Sequence, residues 1–268
     1  MRFPKTLRIL SLLLISGIGL SACQTTETSR GHQQAIEKTW DRGWTRIGAN
    51  QLIGGEEIIA ATWKALPVIS QKIIPNTKLP AIVYLHGCAG FSGTWVYLSN
   101  VTVPLGYAFF APDSFQREGR DFDCGRQVST GTTALRIEEA RYAHQKLSAL
   151  PWIDTSRIIL IGHSEGGLAV SEYSGGEFAG YVIMGYGCHV GAIDVPQSKP
   201  VLALIGENDR VQSGGSSTCS VVARPTPSRS LRVTGAEHVV AGIPEADAAL
   251  RDFLISFLGP GQKHHAQR

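Results

Sequence analysis

Ser164 lies in the run Gly162-His163-Ser164-Glu165-Gly166-Gly167. A serine hydroxyl is a poor nucleophile at neutral pH and attacks usefully only when a neighbouring base takes its proton. A G-x-S-x-G run can present such a serine on a sharp strand-to-helix turn, provided the flanking positions lack side chains that would clash. Gly162 and Gly166 meet that need. The apolar run Arg157-Ile-Ile-Leu-Ile161 precedes the turn, and a small-residue helical stretch, Leu168 to Tyr173, follows it. The chemistry this implies is acyl transfer: attack on a carbonyl carbon, a covalent acyl-serine, then its release.

A base and an acid must complete the serine, and after a turn of this type they follow in the order Ser, Asp or Glu, His. Downstream, Pro200 to Ile205 reads as a strand, with Gly206-Glu207-Asn208-Asp209-Arg210 at its carboxyl end. Asp209 is the expected acid, with Glu207 its rival in the same loop. Asp194 precedes that strand, at the wrong end of it. Leu231 to Val233 runs into Thr234-Gly-Ala-Glu-His238, and His238 is the expected base. His189 breaks the order, His264 and His265 lie in a polar tail, and the turn should point His163 away. His238 would accept the serine proton and return it to the leaving group, while Asp209 fixes the imidazole tautomer. The tetrahedral oxyanion needs preorganised donors. The backbone N–H groups of Glu165 and of Cys88, in His86-Gly87-Cys88-Ala89-Gly90, are the expected pair. His86 reads as a structural histidine.

These residues need a sheet whose loops gather at one edge. Short apolar runs at Pro80 to Leu85, Tyr107 to Ala111, Arg157 to Ile161, Tyr181 to Met184, Pro200 to Ile205 and Leu231 to Val233 have the look of strands covered on both faces. Glu57 to Leu66 reads as an earlier strand. Helical patterns at Ala134 to Leu150 (Leu135, Ala140, Ala143, Leu147) and Ala246 to Leu258 (Leu250, Phe253, Leu254, Phe257) alternate with them. The class is α/β, a mainly parallel sheet with helices on both faces, and ligands sit at the carboxyl ends of such strands. Trp40 and Trp44 are spaced as one helix face that would pack on the domain. Arg117 and Arg120, after Asp113-Ser114-Phe115, are candidate receivers of a substrate carboxylate.

The chain has 268 residues, 43% of them hydrophobic, enough for one sizeable domain. Its formal charge of +3 belongs to the first residues: without Arg2, Lys5 and Arg8, 22 basic residues face 22 acidic ones. That balance argues against a nucleic-acid surface. Residues 1–22 read as a signal peptide, a basic start followed by the apolar run Ile9 to Leu20, too short for a comfortable membrane span. Its end, Leu20-Ser21-Ala22-Cys23, resembles the lipobox of bacterial lipoproteins, in which the cysteine is lipidated and becomes the mature N-terminus. Gln24 after it, by resemblance to bacterial sorting rules, favours the outer membrane, facing the periplasm. Residues 23–45 are then lipid anchor and tether, the polar 24–31 being flexible, 46–258 the catalytic domain, and 259–268 a frayed tail. Four cysteines remain. An even number in an exported protein points to two disulfides, and of three possible pairings Cys88–Cys124 and Cys188–Cys219 are favoured because each pair lies in loops after neighbouring strand ends. No CxxC spacing marks a metal site, and no nucleotide loop or redox cofactor site is present in the sequence.

From about Ala81 to Leu258 the chain resembles the dienelactone hydrolase family of the α/β-hydrolase superfamily. The matching pieces are Leu85-His-Gly-Cys-Ala-Gly90, Ala111-Pro-Asp-Ser-Phe115, Ile153-Asp154 leading into Arg157-Ile-Ile-Leu-Ile-Gly-His-Ser-Glu-Gly-Gly167, and Gly206-Glu-Asn-Asp209. Secreted members look similar in carrying cysteines after the His-Gly turn and after the Asp-Ser-Phe segment, as Cys88 and Cys124 do. The resemblance implies an α/β-hydrolase fold with Ser164, Asp209 and His238 as triad. Dienelactone hydrolases carry cysteine at the turn, so serine here favours ordinary ester chemistry. The expectation is a serine esterase or lactonase of the cell envelope, without cofactor, acting on a small-molecule or envelope-polymer ester. A peptidase or acyltransferase would use the same triad, and a binding module with an inert triad is the reading from another class.

Overall fold

The computed structural model describes residues 18–118, 120, 124, 130–188, 193–211 and 219–259, the side chains of 18–29 and of Thr130 excepted. Most of the expected signal peptide, the side chain of Cys23, His189, and the tail with His264 and His265 lie outside the described residues.

Eight strands form one sheet in the order β2-β1-β4-β3-β5-β6-β7-β8. The six strands β3 (Leu79–Leu85), β4 (Ala108–Ala111), β5 (Ile153–His163), β6 (Gly180–Met184), β7 (Val201–Gly206) and β8 (Arg229–Val233) pair in parallel. β3, β4, β6 and β7 are buried at every position, because helices cover both faces and alternate side chains serve two cores. Leu79, Ala81, Val83 and Leu85 of β3 meet Trp40 of α1 (Ile18–Asp41), Ile69 of α2 (Thr62–Lys72), Ala140 and Leu147 of α4 (Thr130–Ser148) and Val170 of α5 (Glu165–Ser171). Ile82 and Tyr84 point the other way, to Leu98 of α3 (Thr94–Thr102) and Leu250 and Phe253 of α6 (Pro244–Ile255). This is the α/β-hydrolase fold. Among the described residues, no helix is long and apolar enough to cross a membrane.

The edge before β3 departs from the sequence reading. β1 (Trp44–Ile47) and β2 (Ile58–Ala61) form an antiparallel pair, and β1 joins the sheet antiparallel to β4. Residues 57–66 are therefore not one strand. The strand ends at Ala61, and Thr62, Ala65 and Ile69 turn inward at helical spacing as the buried face of α2. Nor do Trp40 and Trp44 share a helix face. α1 stops at Asp41, and Gly43 passes so close to β4 that a Cβ there would overlap the Ala111 carbonyl. Trp40 stacks on Phe110 at 5.5 Å in the core, whereas Trp44 opens β1 and stacks on Trp95 at 5.7 Å near the surface. The folded unit thus takes in Ile36 and Trp40, ahead of the boundary expected at residue 46, and α1 is helical through the stretch expected as a flexible tether.

Both disulfides join as expected, Cys88–Cys124 and Cys188–Cys219. The second closes a 31-residue separation, which on the chain-entropy model contributes roughly 3–4 kcal/mol.

Candidate active site

β3 and β5 are neighbours at the switch point of the sheet, since β4 continues to one side of β3 and β6 to the far side of β5. Their register pairs Leu85 with Gly162, so the turns that follow, His86-Gly87 and His163-Ser164, leave the sheet side by side. The approach is close. A Cβ on Gly87 would sit 3.1 Å from Ser164 Cβ, and one on Gly166 would overlap the Leu85 carbonyl. Ser164 itself adopts φ 56°, ψ −115°, a conformation non-glycine residues rarely hold. Its N–H donates to the Met184 carbonyl at 2.9 Å, and its carbonyl accepts from Leu168 N–H, so the turn is anchored to β6 and α5 at once. Glu165 heads α5, where first-turn N–H groups lack partners within the helix. Gly90, at φ 70°, bends the loop after β3, and a side chain there would strike the Phe115 ring.

Asp209 and His238 arrive from the loops after β7 and β8. Gly206 pairs with Val233, and Glu207 N–H and Asn208 N–H donate to the carbonyls of Val233 and Ala236. The two loops are in such tight contact that a Cβ on Gly206 would overlap the Glu237 carbonyl. His238 Nε2 lies 2.8 Å from Ser164 Oγ, and Nδ1 lies 2.9 Å from Asp209 Oδ2. A carboxylate only accepts, so Nδ1 carries the hydrogen and Nε2 is free to accept from the serine. The other oxygen of Asp209 accepts from Val211 N–H, and its side chain is fully buried. Glu207, the rival acid, instead accepts from Gly235 N–H at 2.8 Å.

His163 does not point away. Its ring centroid lies 5.1 Å from that of His238, and its Nε2 is 3.4 Å from the His238 carbonyl. Burial, and next the charge of His238, hold His163 down at about 4. His86 is structural, as its sequence context indicates. Nδ1–H donates to the Gly87 carbonyl at 2.8 Å, and Nε2 accepts from Ser114 N–H at 3.1 Å. Burial, reinforced by the Arg136 guanidinium, holds its pKa well below the ordinary value. These two rings make stability acid-sensitive. Folded His163 stays neutral to about pH 4 whereas the unfolded chain takes a proton near 6.5. The unfolded state therefore binds more protons in that window, and stability is lost as pH falls through it, by about 2 kcal/mol at pH 5 from His163 alone. Urea midpoints at pH 7.5 and 5 are expected to fall less in His163→Asn than in wild type, and an equal fall in both would contradict this.

Arg117 and Arg120 are not free to receive a carboxylate. Arg117 is buried and ion-pairs with Glu138 and Glu139, each at 3.2 Å. Arg120 lies over the Phe115 ring and pairs with Glu165. Sequence reading missed Glu139, which pairs with Arg117, and Arg136, which pairs with Glu139 and Glu165; both are buried on α4. A signal was present, because Arg136 continues the Ala140, Ala143, Leu147 stripe one turn towards the N-terminus, on the face that packs inward. Among the described residues, no group of three or more His, Cys, Asp or Glu could hold a metal ion.

The arrangement can activate a serine, fix the tautomer of its base and offer backbone donors beside it, which are the needs of acyl transfer. Solved structures similar to the chain include the esterase domain of a Rhodothermus marinus protein (18% identity, 77% of this chain and 92% of that one, TM-score 0.44). Est1E from Butyrivibrio proteoclasticus (14% identity, 68% of this chain and 89% of that one, TM-score 0.47) is another. A third is a phospholipase/carboxylesterase from Dyadobacter fermentans (15% identity, 66% and 90% covered, TM-score 0.47). No curated protein matches the chain. The family model for dienelactone hydrolases matches residues 68–225, more than half of the chain. With that span matched, from before β3 to the loop before β8, the chain belongs to the dienelactone hydrolase family and is a carboxylic ester hydrolase of α/β-hydrolase fold.

Proposed function

We propose that the protein is a serine esterase that works through an acyl-enzyme on Ser164, with His238 as base and Asp209 as the orienting acid. The observation that carries this reading is the continuous chain of contacts from Asp209 Oδ2 through His238 to Ser164 Oγ, at 2.9 and 2.8 Å. Ser164 Oγ attacks the ester carbonyl carbon as His238 Nε2 takes its proton, and the carbonyl electrons move onto oxygen. The N–H groups of Glu165 and Cys88 receive that oxyanion. Collapse breaks the bond to the alkoxy oxygen, and the proton on His238 leaves with the alcohol. Water, deprotonated by His238, then frees the acid and restores Ser164. Arg117 and Arg120 are engaged by glutamates, so the substrate is an ester recognised without a carboxylate clamp from these two arginines.

Two disulfides fit work outside the cytoplasm, and Leu20-Ser21-Ala22-Cys23 fits lipidation of Cys23. In this reading acyl chains on Cys23 hold the enzyme at the envelope, on the periplasmic face of the outer membrane, where small esters or acylated envelope polymers are its substrates.

Rapid mixing with p-nitrophenyl acetate tests the mechanism. A burst of nitrophenolate equal to the enzyme concentration, with the matching anilide turned over far more slowly, is the expected result. A folded wild type that releases no nitrophenolate from short-chain esters would overturn it, and faster turnover of the anilide would make the protein a peptidase.

A further inference from the structure

We propose that Arg136 is a positioning residue for the oxyanion hole, holding its two halves in register from below. The inference rests on the reading of Ser164 as the nucleophile. The hole is built from two segments far apart in sequence: the turn after β3, which carries Cys88, and the first residue of α5, Glu165. Arg136 is fully buried and touches both. Its Nη2 donates to the His86 carbonyl at 2.7 Å, fixing the peptide that leads into Gly87 and Cys88. Its Nε lies 3.7 Å from Glu165 Oε1, and this Nε has no hydrogen-bond partner among the described residues. Its Nη1 donates to Glu139 Oε2 at 2.7 Å, which aims the planar fork.

Each end of this clamp is itself held. Glu165 also pairs with Arg120, whose Nε donates to Ser114 Oγ at 3.2 Å, and Ser114 Oγ donates to Glu139 at 2.9 Å. Arg117 pairs with Glu139 and Glu138, and His32 lies 3.2 Å from Glu138. Three guanidinium groups thus meet three carboxylates. Cys88 is also tied by the bond to Cys124, four residues beyond Arg120. Burying this many charges costs several kcal/mol per ion before pairing, and an apolar filling of the same volume often stabilises as well or better. Fold stability is therefore a weak reason for such a cluster at this place. Geometry is a better one, since donors to a developing oxyanion act only when fixed at the right distance, and small misplacement is costly. A guanidinium can hydrogen-bond a carbonyl and one carboxylate while its third edge faces a second carboxylate, whereas an ammonium at the same position cannot serve all three.

The test compares wild type, Arg136→Lys and Glu165→Gln on p-nitrophenyl acetate, and measures for each the Ki of an aryl trifluoromethyl ketone that adds Ser164 Oγ to give a tetrahedral oxyanion. Near-UV circular dichroism establishes which variants fold. The expected result for Arg136→Lys is kcat lowered about tenfold to a hundredfold, a range below the loss of a whole oxyanion donor, with KM within about twofold. Ki should rise by the factor that kcat/KM falls, because an oxyanion contact is made only after addition. A purely structural role would leave the Ki of the folded fraction where it was. Folded Arg136→Lys with kcat within twofold of wild type, or with kcat lowered and Ki unchanged, overturns the proposal. Should Arg136→Lys fail to fold, Glu165→Gln, which weakens the other end of the clamp, decides by the same criteria. A wild type inactive on every ester sinks the esterase reading and the clamp with it, whereas an active wild type with unaffected variants sinks the clamp alone.

Discussion

His238→Ala lowers kcat for ester hydrolysis by about 10,000-fold or more while KM stays within a few-fold, and Ser164→Ala does the same. The reason lies in what each group does before and during attack. In the resting site His238 Nε2 already lies 2.8 Å from Ser164 Oγ, so its removal leaves the hydroxyl with no base at all. Substrate binding depends on the walls around the serine and is little affected, so the loss falls on the chemical step. The two substitutions act on one proton transfer and are non-additive: the double variant is expected to be no slower than the worse single one, within about threefold. Steady-state rates on p-nitrophenyl acetate for the four proteins check this. Independent, multiplying losses would mean that the two side chains do not act as a unit.

Gly166→Ala is the second substitution with a large effect, and it acts through the backbone. A methyl group at this position would overlap the Leu85 carbonyl oxygen and lie 2.9 Å from that of His86. Neither neighbour is a flexible side chain, so β3 and α5 must part. Gly162 shows the same constraint from the other side, where a Cβ would overlap the Gly166 carbonyl. Forcing extra volume into packed structure costs about 1–3 kcal/mol when side chains can yield, and here only backbone can. The expected loss is about 3 kcal/mol or more, which for a domain of this size lowers Tm by roughly 6–12 °C. The protein that still folds should also be slow, because the segment displaced carries His86, Gly87 and Cys88. Thermal melts and rates on the same preparation test both parts. A Tm within about 2 °C of wild type would contradict the close approach of the two elements.

The sequence disclosed most where local pattern and tertiary role coincide. β3, β4, β6 and β7 are short apolar runs because both faces are covered, and the order Ser164, Asp209, His238 follows from which strand ends carry loops. It disclosed least where the outcome depends on distant partners. β1 and β2 have four residues each, and their place at the antiparallel edge is secured by contacts such as Thr45 with Thr62 and Arg46 with Glu57, Ser99 and Asn100. Trp40 and Trp44 look like a helical pair until Gly43 meets Ala111. Arg117 and Arg120 read as candidate receivers of a substrate carboxylate because nothing local shows that Glu138, Glu139 and Glu165 will close on them. His163 was expected to turn from the site, yet its ring centroid lies 5.1 Å from that of His238, which arrives on the loop after β8.

Activation of Ser164 by His238 can be tested with a fluorophosphonate probe, without knowledge of the substrate. The domain from residue 24 onward, exported so that both disulfides form, is treated with the probe, and the adduct is located by mass spectrometry. A single adduct on Ser164 in wild type, lost in His238→Ala, is the expected result. A folded wild type that takes no probe, or takes it equally well without His238, would contradict it.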